Sequence, residues 1–84
     1  MEDWEFDLID ELYFVTSYAE LVDKLPEYND KLQEYLLKLL KKGWIKVFKK
    51  ESDEEVLELE LFNINYKKYN YLATKAGLLE HNSR

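Results

Sequence analysis

The chain contains no cysteine, and it has only one histidine, one proline and two glycines. Without cysteine there can be no disulfide, thiol nucleophile or thiolate metal site, and a reducing cytoplasm is the expected compartment. The two glycines lie too far apart to form a glycine-rich phosphate loop. No apolar run approaches membrane-spanning length, and the acidic start of the chain is the reverse of a signal peptide. We therefore expect a soluble cytoplasmic protein that uses no cofactor.

Side chains suited to catalysis are also scarce. His81, the only histidine, has no Glu-x-x-His spacing around it, and we expect it to lie at the surface. The carboxylates cluster at predicted helix starts and in one turn, rather than beside apolar walls that raise a pKa. The acidic turn lacks the spaced ligands and the glycine of a calcium loop; its acids are Glu51, Asp53, Glu54 and Glu55. The sequence therefore predicts neither an enzyme nor a metal site.

Apolar and aromatic side chains, in contrast, are abundant, at 46% and 15% of the 84 residues. This supply of apolar surface is enough for one small ordered domain. Seven tyrosines predict rings at half-exposed positions, with buried ring faces and hydroxyls that reach water.

Charge is distributed unevenly along a chain whose formal net charge is −6. Residues 1–30 carry −9 and residues 51–55 carry −4, whereas residues 31–50 carry +6 because they hold seven lysines and one glutamate. Positive charge is thus concentrated on one predicted helix and the strand after it, a pattern typical of nucleic-acid contact. The alternative is a solvated helix face that ends in lysines.

The first half of the chain has helical periodicity. Apolar residues spaced by three to five predict an amphipathic helix over residues 4–15. Ser17 and Glu20 match a capping box, which predicts a second helix from about residue 18 to residue 24, and Pro26 ends it.

A third helix is predicted to begin near Asn29 or Asp30, both of which are good N-cap residues. It would run to residue 42 and end at Gly43 in a left-handed cap, with Trp44 folded back on the last turn.

A period of two follows, which predicts strands. Alternation over residues 44–50 and again over residues 56–62, on either side of the acidic turn, predicts a β-hairpin. Residues 66–72 are a candidate third extended segment, and residues 74–80 are predicted to be helical.

Three short motifs, together with this order of elements, resemble MarR- or PadR-type winged-helix transcription regulators. Residues 15–21 resemble the entry into the first motif helix, and residues 36–45 resemble the end of the recognition helix. Residues 71–77 resemble the Tyr-x-Leu-Thr-x-x-Gly segment that closes the wing, with Ala73 at the usual leucine.

The resemblance implies an α+β fold, a small winged helix-turn-helix spanning residues 1–84 as a single domain. It would have a three-helix core, a two-stranded or three-stranded β-wing and a short C-terminal helix. The helix-turn-helix would occupy about residues 17–42, and the wing about residues 44–62.

The function implied by the resemblance is that of a bacterial transcription regulator that binds double-stranded DNA, as a homodimer, by inserting helix 29–42 into the major groove. The side chains expected to reach bases or phosphates are Asn29, Lys31, Gln33, Lys38, Lys46, Lys49 and Lys50.

Two departures from the family favour an alternative. The wing tip is acidic where the family has a basic one, and Arg84 is the only arginine. The alternative is an acidic winged-helix module for protein interaction or dimerisation, since a fold does not fix a function. Its candidate exposed apolar anchors are Trp4 and Leu37.

Overall fold

The computed structural model describes residues 1–83 and has an α+β architecture. In chain order its elements are α1 (Asp3–Glu11), β1 (Thr16–Ser17), α2 (Tyr18–Lys24), a 3₁₀ helix (Pro26–Lys31), α3 (Leu32–Lys41), β2 (Ile45–Lys49), α4 (Leu59–Asn65), a second 3₁₀ helix (Tyr66–Lys68), β3 (Tyr69–Ala73) and α5 (Lys75–Asn82). None of the helices in residues 1–83 has both the length and the apolar character needed to cross a membrane.

The three strands form one antiparallel sheet in the order β1–β3–β2. β2 pairs with β3 along its full length, and Val47 lies opposite Tyr71 at the centre. β1 pairs with the other side of β3 through Thr16, which also lies opposite Tyr71. Val47 and Tyr71 are fully buried, so one face of the sheet belongs to the core. Most of the rest of the core comes from the helices and the residues that directly follow them: Leu8, Ile9, Leu12, Leu21, Leu25, Leu32, Leu36, Leu39 and Phe62. Val56, in the segment after β2, also belongs to the core.

The prediction of a strand over residues 56–62 is wrong. The chain does turn back after β2, and the Val56 amide donates to the Val47 carbonyl at 2.7 Å, but pairing stops there and α4 follows. Leucine and glutamate fill residues 57–61, and both favour helices, whereas no β-branched residue follows Val56 in the expected strand. The partner of β2 is β3 instead, whose tyrosines suit a strand. Residues 50–68 between them are called the β2–β3 connection below.

Two helix boundaries also differ from those expected. α1 ends at Glu11 instead of continuing to residue 15. α3 begins at Leu32, because Asn29 and Asp30 lie inside the 3₁₀ helix that starts at Pro26 and neither caps α3. Proline is preorganised for a first helical position, so it starts a tight turn ahead of the expected cap.

The capping box and the glycine stop are confirmed. The Glu20 amide donates to Ser17 Oγ and the Ser17 amide donates to Glu20 Oε1, both at 3.1 Å. Gly43 has a φ of +76°. Its amide donates to the Leu40 carbonyl and the Trp44 amide donates to the Leu39 carbonyl, each at 3.0 Å. This bonding is that of a Schellman cap, which satisfies the last carbonyls of α3.

The end of α3 and the start of α5 form one joint. Thr74 caps α5 by accepting from the Gly77 amide, and its hydroxyl donates to the Gly43 carbonyl at 2.7 Å. The Thr74 amide donates to the Trp44 carbonyl at 2.9 Å. An added Cβ at Gly77 would lie 2.3 Å from that same carbonyl oxygen. The Thr-x-x-Gly segment therefore has a structural role at this joint.

Candidate interaction surfaces

The residues expected to contact DNA are divided between two stretches of the chain. Asn29 and Lys31 are exposed on the 3₁₀ helix, Lys38 is exposed on α3, and Gln33 is half-buried. The others follow the glycine cap: Lys46 is exposed and Lys49 half-buried on β2, and Lys50 is exposed just after it. Lysine ammonium groups can bind phosphates. A lysine that already pairs with a carboxylate of the chain is less available for such a contact.

Two lysines of the α3 region lie against carboxylates. Lys38 Nζ is 3.2 Å from Glu34 Oε2, and both side chains are more than half exposed, so this pair adds little stability. Lys42, at the end of α3, donates to Glu5 of α1 and lies over the Trp44 ring at 4.5 Å. Glu5 is only 1% exposed, which makes this pair an internal link between α1 and α3.

The charge of Glu5 depends on this link. Burial alone would raise its pKa, but hydrogen bonds from the Lys42 ammonium and from the Glu2 amide act in the opposite direction. The net effect is a pKa of Glu5 below its ordinary value. Lys42 is therefore engaged in holding a buried carboxylate.

One flank of α3 is covered by aromatic packing. Trp4 of α1 stacks on Tyr35 with ring centroids 4.1 Å apart, and the Tyr28 hydroxyl donates to Asp7 Oδ2 at 2.6 Å. That hydrogen bond, with burial and nearby acids, raises the pKa of Tyr28 to about 12. Trp4 and Leu37 are half-buried and pack against the core, which is the ordinary role of such side chains, so they are not the exposed anchors that the alternative would use.

His81 is buried, contrary to expectation, and links α5 to α1. Its ring stacks on Phe6 at 4.1 Å, and Nδ1 lies 2.8 Å from the Tyr13 hydroxyl. That hydroxyl donates to Asn82 at 2.9 Å, so in this arrangement Nδ1 is the donor to the Tyr13 oxygen. Nε2 lies 3.2 Å from Asp10 Oδ1 without the alignment of a hydrogen bond. These contacts give the histidine a packing role.

The β2–β3 connection presents exposed apolar side chains. Leu57 is 80% exposed, Ile64 is 75% exposed and Leu61 is 38% exposed. Leu61 and Ile64 are three residues apart on α4, a spacing that brings them to the same side of the helix. We call Leu57, Leu61 and Ile64 the apolar patch.

The connection is anchored from beneath. Phe62 is fully buried and its ring meets Tyr71 edge-on with centroids 6.3 Å apart. The Tyr69 hydroxyl donates to the Leu61 carbonyl at 3.3 Å, and the Tyr71 hydroxyl donates to the Tyr66 carbonyl at 2.5 Å. β3 therefore holds both α4 and the 3₁₀ helix after it, and the apolar patch rests on a fixed base.

The surroundings of the apolar patch are acidic. Residues 51–66 contain no lysine or arginine, and their six acids are all exposed: Glu51, Asp53, Glu54, Glu55, Glu58 and Glu60. The basic residues of the connection, Lys50, Lys67 and Lys68, lie at its two ends. The patch is thus an apolar surface with a negative border.

Sequence reasoning missed the apolar patch because the alternation of leucine and glutamate was taken as the period of a strand. The three-residue spacing of Leu61 and Ile64 is a helical signal that could have indicated the part of the patch on α4; Leu57 precedes that helix.

Residues 1–83 form no pocket, and they contain no group of three or more histidine or acidic side chains placed to hold a metal ion. The candidate sites lie instead on open surfaces: the lysines around α3 and β2, and the apolar patch with its acidic border. Phe14 and Val15, which are 82% and 55% exposed, form a further exposed apolar pair before β1. No protein-family model, no curated protein and no solved structure matches this chain.

Proposed function

We propose that the chain is a winged-helix domain that acts as a protein-interaction module, with the β2–β3 connection as its binding surface. The observation that carries this proposal is the exposure of Leu57 and Ile64 within eight residues of each other, with Leu61 between them. Single exposed apolar side chains are ordinary, but a group of them on one short segment is typical of an interface. Burying a leucine or isoleucine contributes roughly 1.5–3 kcal/mol when it leaves water completely.

The layout supports the winged-helix part of the proposal. Two helices joined by a tight turn, α2 and α3, are followed by two antiparallel strands, β2 and β3. MarR- and PadR-type regulators, which the motifs resemble, have this order. In those regulators the segment between the two strands is the wing; the corresponding β2–β3 connection of this chain holds a helix and a row of acids.

Charge favours a protein partner over DNA. The position that would approach the DNA backbone carries six acids without a basic residue between them, and phosphates would be repelled there. Lys38 and Lys42 already face carboxylates of the chain. The apolar patch has no such internal partner and is available to another protein.

Quantitative affinity purification from cells that express the tagged chain tests this function. Wild type would be compared with a double variant, Leu57→Ser with Ile64→Ser, and with Leu79→Ser, a matched control at an exposed leucine of α5. We expect a partner that is retained by wild type and the control but lost from the double variant. Equal recovery of every protein from all three baits would contradict the proposal.

A second function, binding of duplex DNA by a homodimer, is favoured by one specific observation. Lys31, Lys41 and Lys46 are exposed, and within residues 1–83 none of them forms an ion pair with a carboxylate. They lie on or beside α3 and on β2, the elements that a winged-helix regulator would present to DNA.

Titration with random duplex DNA tests this second function. A DNA-binding chain would bind at low salt and lose affinity steeply as salt increases, because released counterions drive the association. Lys31→Glu combined with Lys41→Glu should then abolish binding, whereas Lys75→Glu on α5 should have a smaller effect. Absence of binding at low salt would leave protein interaction as the function.

A further inference from the structure

We infer that the partner of the apolar patch is a basic amphipathic helix of another protein. This inference rests on the proposed protein-binding function and adds the chemistry of the partner to it. The geometry to be matched is a short apolar surface, Leu57, Leu61 and Ile64, bordered by acids on the same segment.

The border fixes the charge of the partner. Glu58 and Glu60 lie between Leu57 and Leu61 in sequence, and four more acids occupy the turn before them. All six are exposed, and among residues 1–83 none forms an ion pair with a lysine or histidine. A partner with lysine or arginine around an apolar centre would neutralise this border, and charge complementarity of that kind also speeds association.

The same border disfavours a second copy of the chain at this surface. A two-fold interface places the same patch against itself, so the acids of one copy would face the acids of the other. Like charges placed together at an interface weaken it. Nucleic acid is disfavoured for the same reason, since its phosphates carry the sign of the border.

The partner's conformation follows from the neighbouring strand edge. The outer edge of β2 is already occupied by the connection, because the Lys49 amide donates to the Glu54 carbonyl and the Val56 amide to the Val47 carbonyl. An incoming strand would find no free row of backbone groups at this edge. A helix satisfies its own backbone and binds through side chains three and four residues apart, so it can cover a short apolar surface without a free strand edge.

The test uses three synthetic peptides of about four helical turns each. All carry leucines at the same amphipathic spacing, and the polar face is lysine in the first, glutamine in the second and glutamate in the third. Binding to the full chain is followed by ¹⁵N-resolved NMR titration. We expect the lysine peptide to bind, with shifts concentrated in residues 54–66, and to bind at least about tenfold more tightly than the glutamine peptide.

Matched variants separate the local border from the net charge of the chain. Glu58→Gln with Glu60→Gln should weaken binding of the lysine peptide about fivefold, whereas Asp23→Asn with Glu27→Gln, which changes the net charge equally, should leave it nearly unchanged. Leu57→Ser with Ile64→Ser should abolish it. All of these positions are exposed, and circular dichroism checks that each variant is folded.

The outcomes distinguish this inference from the proposed function. Equal binding of all three peptides at residues 54–66 would overturn the basic partner and leave an apolar protein-binding surface. Equal weakening by the two pairs of acid substitutions would overturn the local border. Failure of every peptide to bind would overturn the inference, while the purification experiment still decides the proposed function independently.

Discussion

At the scale of single residues, Glu5 shows how the chain holds a charge inside a small domain. Its carboxylate accepts a hydrogen bond from the amide of Glu2, the residue before α1, and another from the ammonium group of Lys42, the residue after α3. One side chain thus supports the first turn of a helix and the packing of two helices. Since these partners, together with the N-terminal ammonium group, stabilise its charge against burial, the residue is sensitive to the loss of Lys42.

Replacing Lys42 tests that sensitivity. Lys42→Met keeps an apolar stem but leaves the buried Glu5 carboxylate without its cation, and we expect a loss of about 1–3 kcal/mol in the free energy of unfolding. Lys38→Met is the matched control, because its partner Glu34 is exposed and the change should stay within about 0.5 kcal/mol. Urea denaturation at neutral pH measures both. Equal effects would show that the buried pair adds nothing.

The pair of Glu5 and Lys42 also makes the free energy of unfolding depend on pH. The pKa of Glu5 is lower in the folded chain than its ordinary value of 4.5, so its contribution is complete above pH 4.5 and is lost as the pH falls through the folded-state pKa. We expect Glu5→Gln to flatten the decline in unfolding free energy below pH 4.5, as measured by urea titrations at several pH values. An unchanged slope would contradict this assignment.

At the scale of elements, the joint of α3 and α5 explains a glycine inside a helix. Gly77 lies in the first turn of α5, where alanine would ordinarily be favoured by about 1 kcal/mol. The Trp44 carbonyl leaves no room for a side chain there. The close approach of the two backbones therefore outweighs helix propensity.

Exchange of glycine and alanine at neighbouring positions tests this explanation. Gly77→Ala should destabilise the chain by about 1–3 kcal/mol, because Trp44 or α5 must move to admit the Cβ. Ala76→Gly, at an exposed position of the same helix, should cost about 0.5–1 kcal/mol through propensity alone. Thermal unfolding by circular dichroism compares them. If Gly77→Ala raises the melting temperature, the close packing at the joint is wrong.

Elements marked by local chemistry could be predicted from the sequence. Ser17 and Glu20 lie three residues apart, and the cap at Gly43 uses the bonds from Gly43 to Leu40 and from Trp44 to Leu39. Both features were therefore recognisable in a short window of sequence. The strand that pairs with β2 was harder to predict, because two segments, residues 56–62 and residues 66–72, were both candidates. The alternation after the acidic turn gave the nearer one, whereas pairing of Val47 with Tyr71 buries a ring at the centre of the sheet.

The candidate sites were predictable to a similar extent. The lysines of residues 31–50 were expected at the surface, and most of them are exposed there. Which lysines pair with carboxylates of the chain was not predictable. Glu5 and Lys42, for example, lie 37 positions apart, and no local sequence pattern marks their contact. The apolar patch was missed since its exposure depends on α4, which replaced the expected strand.

At the scale of the whole molecule, an apolar patch coexists with a formal net charge of −6. Charge of one sign keeps copies of a protein apart and opposes association through exposed apolar surface. This repulsion weakens as the pH approaches the sequence isoelectric point of about 4.8.

Acidification should therefore reveal the patch. We expect wild type to be monomeric at neutral pH and to self-associate near pH 5, as measured by sedimentation velocity. Leu57→Ser with Ile64→Ser should stay monomeric under the same conditions, and Leu79→Ser should behave as wild type. Association of all three chains alike would mean that another surface is responsible.

β2 and β3 pair along their full length, and the β2–β3 connection is the excursion of the chain between them. Lengthening such an excursion is inexpensive, with each doubling costing about 0.6 kcal/mol in closure entropy. A different recognition sequence could thus be grafted between Lys49 and Tyr69 while the framework persists, provided that it keeps buried apolar side chains equivalent to Val56 and Phe62. The connection would then determine binding specificity, while the helices and the sheet would determine folding.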